Sequence, residues 1–338
     1  MGRRFHIDAL FWVDSVTEIH QHAFRGAFQV LAGGSIQTSY SFARERVITG
    51  ELQVGRLHAT ESKLLRAGDV EPIRGGDRSI HALFHLMRPS VSLVVRTKSE
   101  QSLLPQYSYL PPGIAYDALY SDPHALRTVQ MAELLCALDD PRFEERLVGA
   151  IARSDLHTCF LLLKKLRSLP DRSLFARLVD AAAQRHGAIA QTFAAAFEEM
   201  ARQESIVHKR TLVKDPELRF FLALLLHATS RQPILELTRA HVPHRDPIET
   251  VLGWLVALSK VTLKLQLGGT PWEPNAFGLP TLDDTMVDVI RRRLRGEPLA
   301  AIGEPRFRQL FASLGSTSMF RGLSFDSRSG MDGAVGGR

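Results

Sequence analysis

Cysteine is scarce: the 338 residues hold two, Cys136 and Cys159, too few for a fold stapled by disulfides. Both lie in apolar stretches of helical spacing and read as buried thiols in a reducing compartment. No apolar run approaches the roughly 20 residues of a membrane-spanning helix, and Arg3-Arg4 leads into no apolar leader core, so the expected setting is cytoplasmic, away from membranes. Phosphate loops are missing as well. Gly33-Gly34 and Gly75-Gly76 fail the glycine spacings of such loops and read as hairpin turns. The histidines of the second half, among them His157, His186, His208 and His227, form no HExxH pair. His241 and His244 stand with Asp246 beside Pro243 and Pro247, as an inter-helix loop would place them. No fixed repeat period runs through the chain.

Charge of one sign is mildly in excess, with a net of +6 and an isoelectric point near 9.5. The basic residues are scattered, however, and the one dense run, Arg291-Arg292-Arg293 with Arg295, falls on the polar face of a helix. That pattern speaks against a nucleic-acid partner and suits carboxylate- or phosphate-bearing small molecules equally well. With 45% hydrophobic and 23% charged residues the composition is that of a globular chain with a sizeable core.

What is present is a pair of histidine pairs. His20 and His22 in TEIHQH are answered by His81 and His85 in SIHALFHL. In an extended strand alternate side chains share a face, so His20 and His22 can grip one ion together, and His81 and His85 share a face in the same way. The flanks read as strands: Leu10 to Val16, Ala27 to Leu31 running into Gly33-Gly34, and Val91 to Arg96, rich in β-branched residues.

From about residue 121 the apolar period changes. Phe143, Leu147, Val148 and Ile151 follow helical spacing, as do Leu156, Cys159, Phe160 and Leu163, and then Leu174, Leu178 and Ala182. Asp-Pro at Asp122-Pro123, Asp140-Pro141, Asp215-Pro216 and Asp246-Pro247 marks helix starts, where Asp caps free amides and Pro loses no hydrogen bond; Glu249 is placed as a capping-box partner. The pattern predicts an α+β chain: a β-barrel over 1–105, a Pro-rich linker over 106–120, six or seven helices over 121–315, and a flexible tail over 316–338.

The histidine segments resemble the two motifs of the cupin superfamily, small jelly-roll barrels with a central metal. In the first motif Asp14 stands at the leading glycine, His20 and His22 match, Gly26 occupies the glutamate position and Gly33 closes it. In the second, Gly68 begins the motif, Pro72 is displaced, Gly75 and Gly76 lie near the glycine position, His81 matches and His85 replaces the asparagine. The resemblance covers residues 10 to 98. A site without the glutamate is similar to that of the thiol dioxygenases, which hold Fe(II) with three histidines, and the run from His81 through Pro89-Ser90-Val91-Ser92-Leu93 is similar to theirs. Their Ser-x-His-x-Tyr set reads here as Ser92, Val94 and Arg96, so the resemblance implies dioxygen chemistry on a small organic substrate rather than sulfur oxidation itself.

On this reading His20, His22 and His81 are the metal ligands. Fe(II) is the expected ion, and zinc, nickel, copper and manganese are the others such a site accepts. His85 is expected beside the ligands as a hydrogen-bonding or proton-transfer group, and Arg96, with Arg25 as competitor, as the anchor of a substrate carboxylate. The alternative function is a cupin ligand sensor or assembly module whose helical part engages a protein. Because only one strand precedes His20, the barrel is expected to be completed by a second copy in a homodimer.

Overall fold

The computed structural model describes residues 5–13, 16–138, 140–169, 171–228, 230–267, 270–272 and 275–297. Ten strands come first: β1 (Phe5–Trp12), β2 (Ile19–His20), β3 (Gly26–Ala32), β4 (Gly34–Val47), β5 (Leu52–Arg66), β6 (Val70–Ile73), β7 (Ile80–His85), β8 (Ser90–Thr97), β9 (Tyr107–Leu110) and β10 (Ile114–Asp117). They form two antiparallel units, a four-stranded sheet in the order β1-β8-β3-β6 and a closed ring β10-β5-β4-β7-β2-β9. Each of the six ring strands sends a side chain to one apolar cluster, with Ile19, Tyr40, Leu57, Ile80, Tyr109 and Ala115 as representatives. That cluster is therefore the filling of the ring. A second cluster, including Phe28, Val30, Leu83 and Val94, lies between the ring and the four-stranded sheet. Alternation along β7 decides who goes where: Ile80, Ala82 and Phe84 take one face, His81, Leu83 and His85 the other.

Eight helices follow in sequence: α1 (Pro123–Ala137), α2 (Phe143–Arg153), α3 (Leu156–Leu166), α4 (Arg172–His186), α5 (Ile189–Lys209), α6 (Pro216–His227), α7 (Arg231–His241) and α8 (Pro247–Ser259). A short hairpin, β11 (Leu265–Leu267) with β12 (Thr270–Trp272), precedes α9 (Asp284–Leu294). The helices sit directly on the strands. Ile36 and Phe84 join an apolar cluster with Phe221, Leu225 and Leu255, while Leu52, Leu110 and Ile114 join another with Phe160, Phe193 and Phe197. Arg210, itself buried, donates from Nη2 to the carbonyl of His85 at 2.5 Å and ties the end of α5 to β7. A buried pair, Arg202 on Glu199, also donates to the carbonyls of Leu225 and Leu226, the free acceptors at the end of α6.

The α+β layout, strands first and helices after, is as the change of period predicts. Three of the four Asp-Pro pairs cap helices: Asp122, Asp215 and Asp246 accept amides of α1, α6 and α8. Asp140 instead accepts the Arg142 amide in the turn before α2, and Glu249 pairs with Arg291 rather than closing a capping box. Nine α-helices occur among the described residues, against six or seven expected; Asp155, Asp171 and Asp283 cap helix starts that no Asp-Pro pair marks. Gly33 and Gly75, both at positive φ, turn the chain from one sheet to the other and not within a hairpin. No helix among the described residues is long and apolar enough to cross a membrane. The tail expected over 316–338, and the last part of the helical region, lie outside the described residues.

The largest correction concerns residues 106–120. They are not a linker: Tyr107–Leu110 and Ile114–Asp117 are β9 and β10, which pair with β2 and β5 and close the ring within one chain. The incomplete barrel that motivated a second copy is thus completed by the chain's own hairpin. Prolines 105, 111 and 112 concealed it, since they sit at strand ends where no ladder amide is needed. The closure depends on contact of bare backbones. Gly55 donates its amide to the Gly113 carbonyl at 2.8 Å, and a Cβ on Gly113 would stand 1.8 Å from the Gly55 oxygen. Gly113→Ala is expected to cost about 1–3 kcal/mol, seen as a lowered thermal midpoint by circular dichroism. Gly50→Ala, where a Cβ meets nothing within 4 Å, should leave that midpoint nearly unchanged.

Candidate metal centre

β2 pairs with β7 so that His20 lies directly opposite His81, and opposed residues of antiparallel strands share a face. His22, two residues past His20, returns to that face, while Gln21 between them points away and accepts the Tyr109 hydroxyl at 2.6 Å. The three imidazoles converge between the ring and the four-stranded sheet. One ligand atom from each lies within 4.8 Å of the others, and the ring centroids stand 4.6, 4.9 and 5.1 Å apart at steep mutual angles. The Nε2 atoms of His22 and His81 are 3.1 Å apart. Two nitrogens bound at about 2.0–2.1 Å to one ion with about a right angle between them would be separated by about 3 Å, so this pair fits a shared ion. The Nδ1 of His20 donates to the Glu18 carbonyl at 2.8 Å, which leaves its Nε2 as the ligand atom and fixes the ring.

Burial keeps these rings neutral, as metal ligands must be. Desolvation pushes the His22 pKa down to about 2, with His20, His81 and Arg96 adding repulsion. Desolvation and His20 push His81 down to about 3, and desolvation lowers His20 against a weaker upward pull from Glu18.

The missing carboxylate has a structural cause. Gly26 lies in β3 opposite Arg96 of β8, and a Cβ there would stand 2.1 Å from the Val95 carbonyl oxygen. No side chain fits, so a fourth ligand cannot come from this position.

Arg96 does reach the site. Its guanidinium lies 4.9 Å over the Phe24 ring, and Phe24 packs 4.5 Å from His22. Asp8 of β1 holds its Nε at 2.7 Å, while Nη1 and Nη2 make no hydrogen bond among the described residues. Arg25 points elsewhere, paired with Glu100. His85 is not brought to the cluster. Four residues of strand put it about 13 Å from His81 along β7. There it stacks on Trp12 at 4.4 Å, its Nδ1 hydrogen-bonded to Ser35 at 2.8 Å. Sharing a face was not enough to share a site. Phe24 and Asp8 were missed in the sequence, although Phe24 continues the alternation of His20 and His22 and could have been read from it.

These features define a protein with a closed β-barrel and a four-stranded sheet packed on it, with a three-imidazole cluster between them able to hold a metal. Neither the protein-family models nor the curated proteins contain a match to the chain. Among solved structures it is similar to RmlC from Streptococcus suis, in complex with dTDP-D-xylose, at 12% identity and a TM-score of 0.23 over 32% of this chain. The match spans about half, 52%, of that protein.

Gly26→Glu is expected to destabilise the protein and to add no ligand, because the side chain has no entry past the β8 backbone. Thermal unfolding with metal analysis checks this: a stable variant that binds metal more tightly would contradict the packing argument.

Proposed function

We propose that the chain is a metal-dependent oxidoreductase that holds Fe(II) on His20, His22 and His81 and oxidises a small organic anion with dioxygen. The observation that supports this most is the convergence of three neutral imidazoles with no carboxylate among them. Fe(II) bound there would supply the redox chemistry that dioxygen needs to react with a closed-shell organic molecule. Three neutral ligands leave the charge of a divalent ion uncompensated, which favours an anionic substrate. Arg96 then anchors the substrate carboxylate through its two free Nη groups, with Asp8 fixing the guanidinium plane. Phe24 and Phe28, against His22 and His81, exclude water beside the imidazoles. His85, held by Trp12 and Ser35, takes no part.

His20→Ala, His22→Ala and His81→Ala are each expected to abolish metal retention in elemental analysis of purified protein. Arg96→Ala should keep the metal and lower kcat/KM about 10- to 100-fold through KM. Full metal occupancy in His81→Ala would refute the ligand set. A second reading, a ligand sensor whose helices engage a protein, draws support from Phe84 of β7, which packs in the same cluster as α6. An oxygen-uptake screen separates the two: a metal-loaded protein that consumes no oxygen with any carboxylate or thiol substrate is a sensor.

The proposed assembly is a homodimer through the outer face of β1. Phe5, Ile7 and Phe11 alternate along it and are 56%, 59% and 68% exposed, beside Val95 and Leu31. Exposed apolar sheet of this kind, at an edge strand with unpaired backbone groups, favours pairing with a copy of itself. Light scattering should give twice the 37.7 kDa chain mass, and Ile7→Asp with Phe11→Asp should halve it.

A further inference from the structure

The strands that carry the imidazoles have a second face. There Ile19 and Ala82, the chain neighbours of His20 and His81, line a cavity of about 590 Å3 between the ring and helices α5 and α6. That volume lies within the range of small-molecule sites, roughly 300–1,000 Å3. Its floor is apolar, with Ile19, Ala82 and Leu226, and Met200 and Val207 of α5 form one wall. The charged residues lining it are Glu18 and Glu204; no lysine or arginine does. Glu204 is already held by both Nη groups of Arg167. Glu18 is exposed at the mouth; its carboxylate accepts the Tyr116 hydroxyl at 3.4 Å and attracts the ammonium of Lys164, but forms no ion pair within 4 Å among the described residues. His227, 4% exposed, also lines the cavity, and its Nε2 has no hydrogen-bond partner.

We infer that this cavity is a second ligand site, for a small amphipathic amine whose apolar body lies on Ile19, Ala82 and Leu226 and whose ammonium meets Glu18. The lining supplies apolar area and a carboxylate outside any ion pair, and no lysine or arginine among the lining residues would meet an anion. His227 adds no competing positive charge, because desolvation and Arg202 push its pKa down to about 4. The site is joined to the metal centre by more than proximity. The backbone carbonyl of Glu18 accepts from the Nδ1 of His20, so one residue faces the cavity with its side chain and orients a ligand histidine with its main chain. Binding itself requires no metal.

The test is calorimetric titration of the full-length protein, in the presence of a chelator, with octylamine, octanol and octanoate. Octylamine should bind one to one, with octanoate weaker by at least about tenfold. Val207→Trp, which fills the cavity from α5, should remove the binding, and Met200→Trp does the same from the same wall if the first variant fails to fold. Glu18→Gln should bring octylamine to the affinity of octanol. His22→Ala should bind octylamine like the unaltered protein, which keeps this outcome separate from the fate of the metal assignment. Absence of octylamine binding, equal affinity for octanoate, or binding that survives a folded Val207→Trp or Met200→Trp variant would each overturn the inference, as would loss of binding in His22→Ala.

Discussion

The register of β2 against β7 is the constraint on which the rest of this molecule depends. A slip of one residue would put Ile80 or Ala82 opposite His20 and turn the imidazoles to different sides of the wall. The pairing is held from several directions. Thr17 donates its amide to the Leu83 carbonyl at 2.9 Å and accepts the Leu83 amide on its hydroxyl at 2.7 Å. Val16 bridges to Phe84, and on the other side of β2 Ile19 and His20 pair with Tyr109 and Ser108. A two-residue strand is thereby located as firmly as a long one, and the imidazole cluster inherits that placement.

The electrostatics of the cluster follow from where the register puts it. Three imidazoles brought together away from water stay neutral, and β3 lies too close to β8 for Gly26 to offer a carboxylate. The formal charges that act on the cluster are therefore the Arg96 guanidinium, on His22, and the Glu18 carboxylate, on His20, at the edge and not at the centre. An ion held by this cluster would meet no compensating carboxylate among the three side chains.

The helices are part of the same body. Their apolar faces pack on the ring strands through Ile36, Phe84, Leu52 and Ile114, and the buried Arg210 reaches the carbonyl of His85 at the end of β7. The strands that hold the imidazoles are thus clamped between a sheet on one side and helices on the other. The cavity beneath α5 and α6 lies where that second contact is incomplete.

Local pattern was enough for much of this. Period-2 spacing put His20 and His22 on one face and Gln21 on the other, the change of period at residue 121 announced the helices, and Asp at helix heads capped them, because each depends on residues close in the chain. Long-range contact decided the remainder. The sequence by itself determined that His81 and His85 share a face, but only the pairing of β7 with β2 selects His81, since a shared face says nothing of the 13 Å or so between them. It determined that Gly26 has no carboxylate, whereas the approach of Val95 decided that none could be there. The prolines around Tyr107 and Tyr109 read as a linker because proline opposes strands locally. The tertiary structure overrode them, since ring closure needs β9 and β10 to pair with strands some 60 to 90 residues distant, and such pairing leaves no trace in a local window.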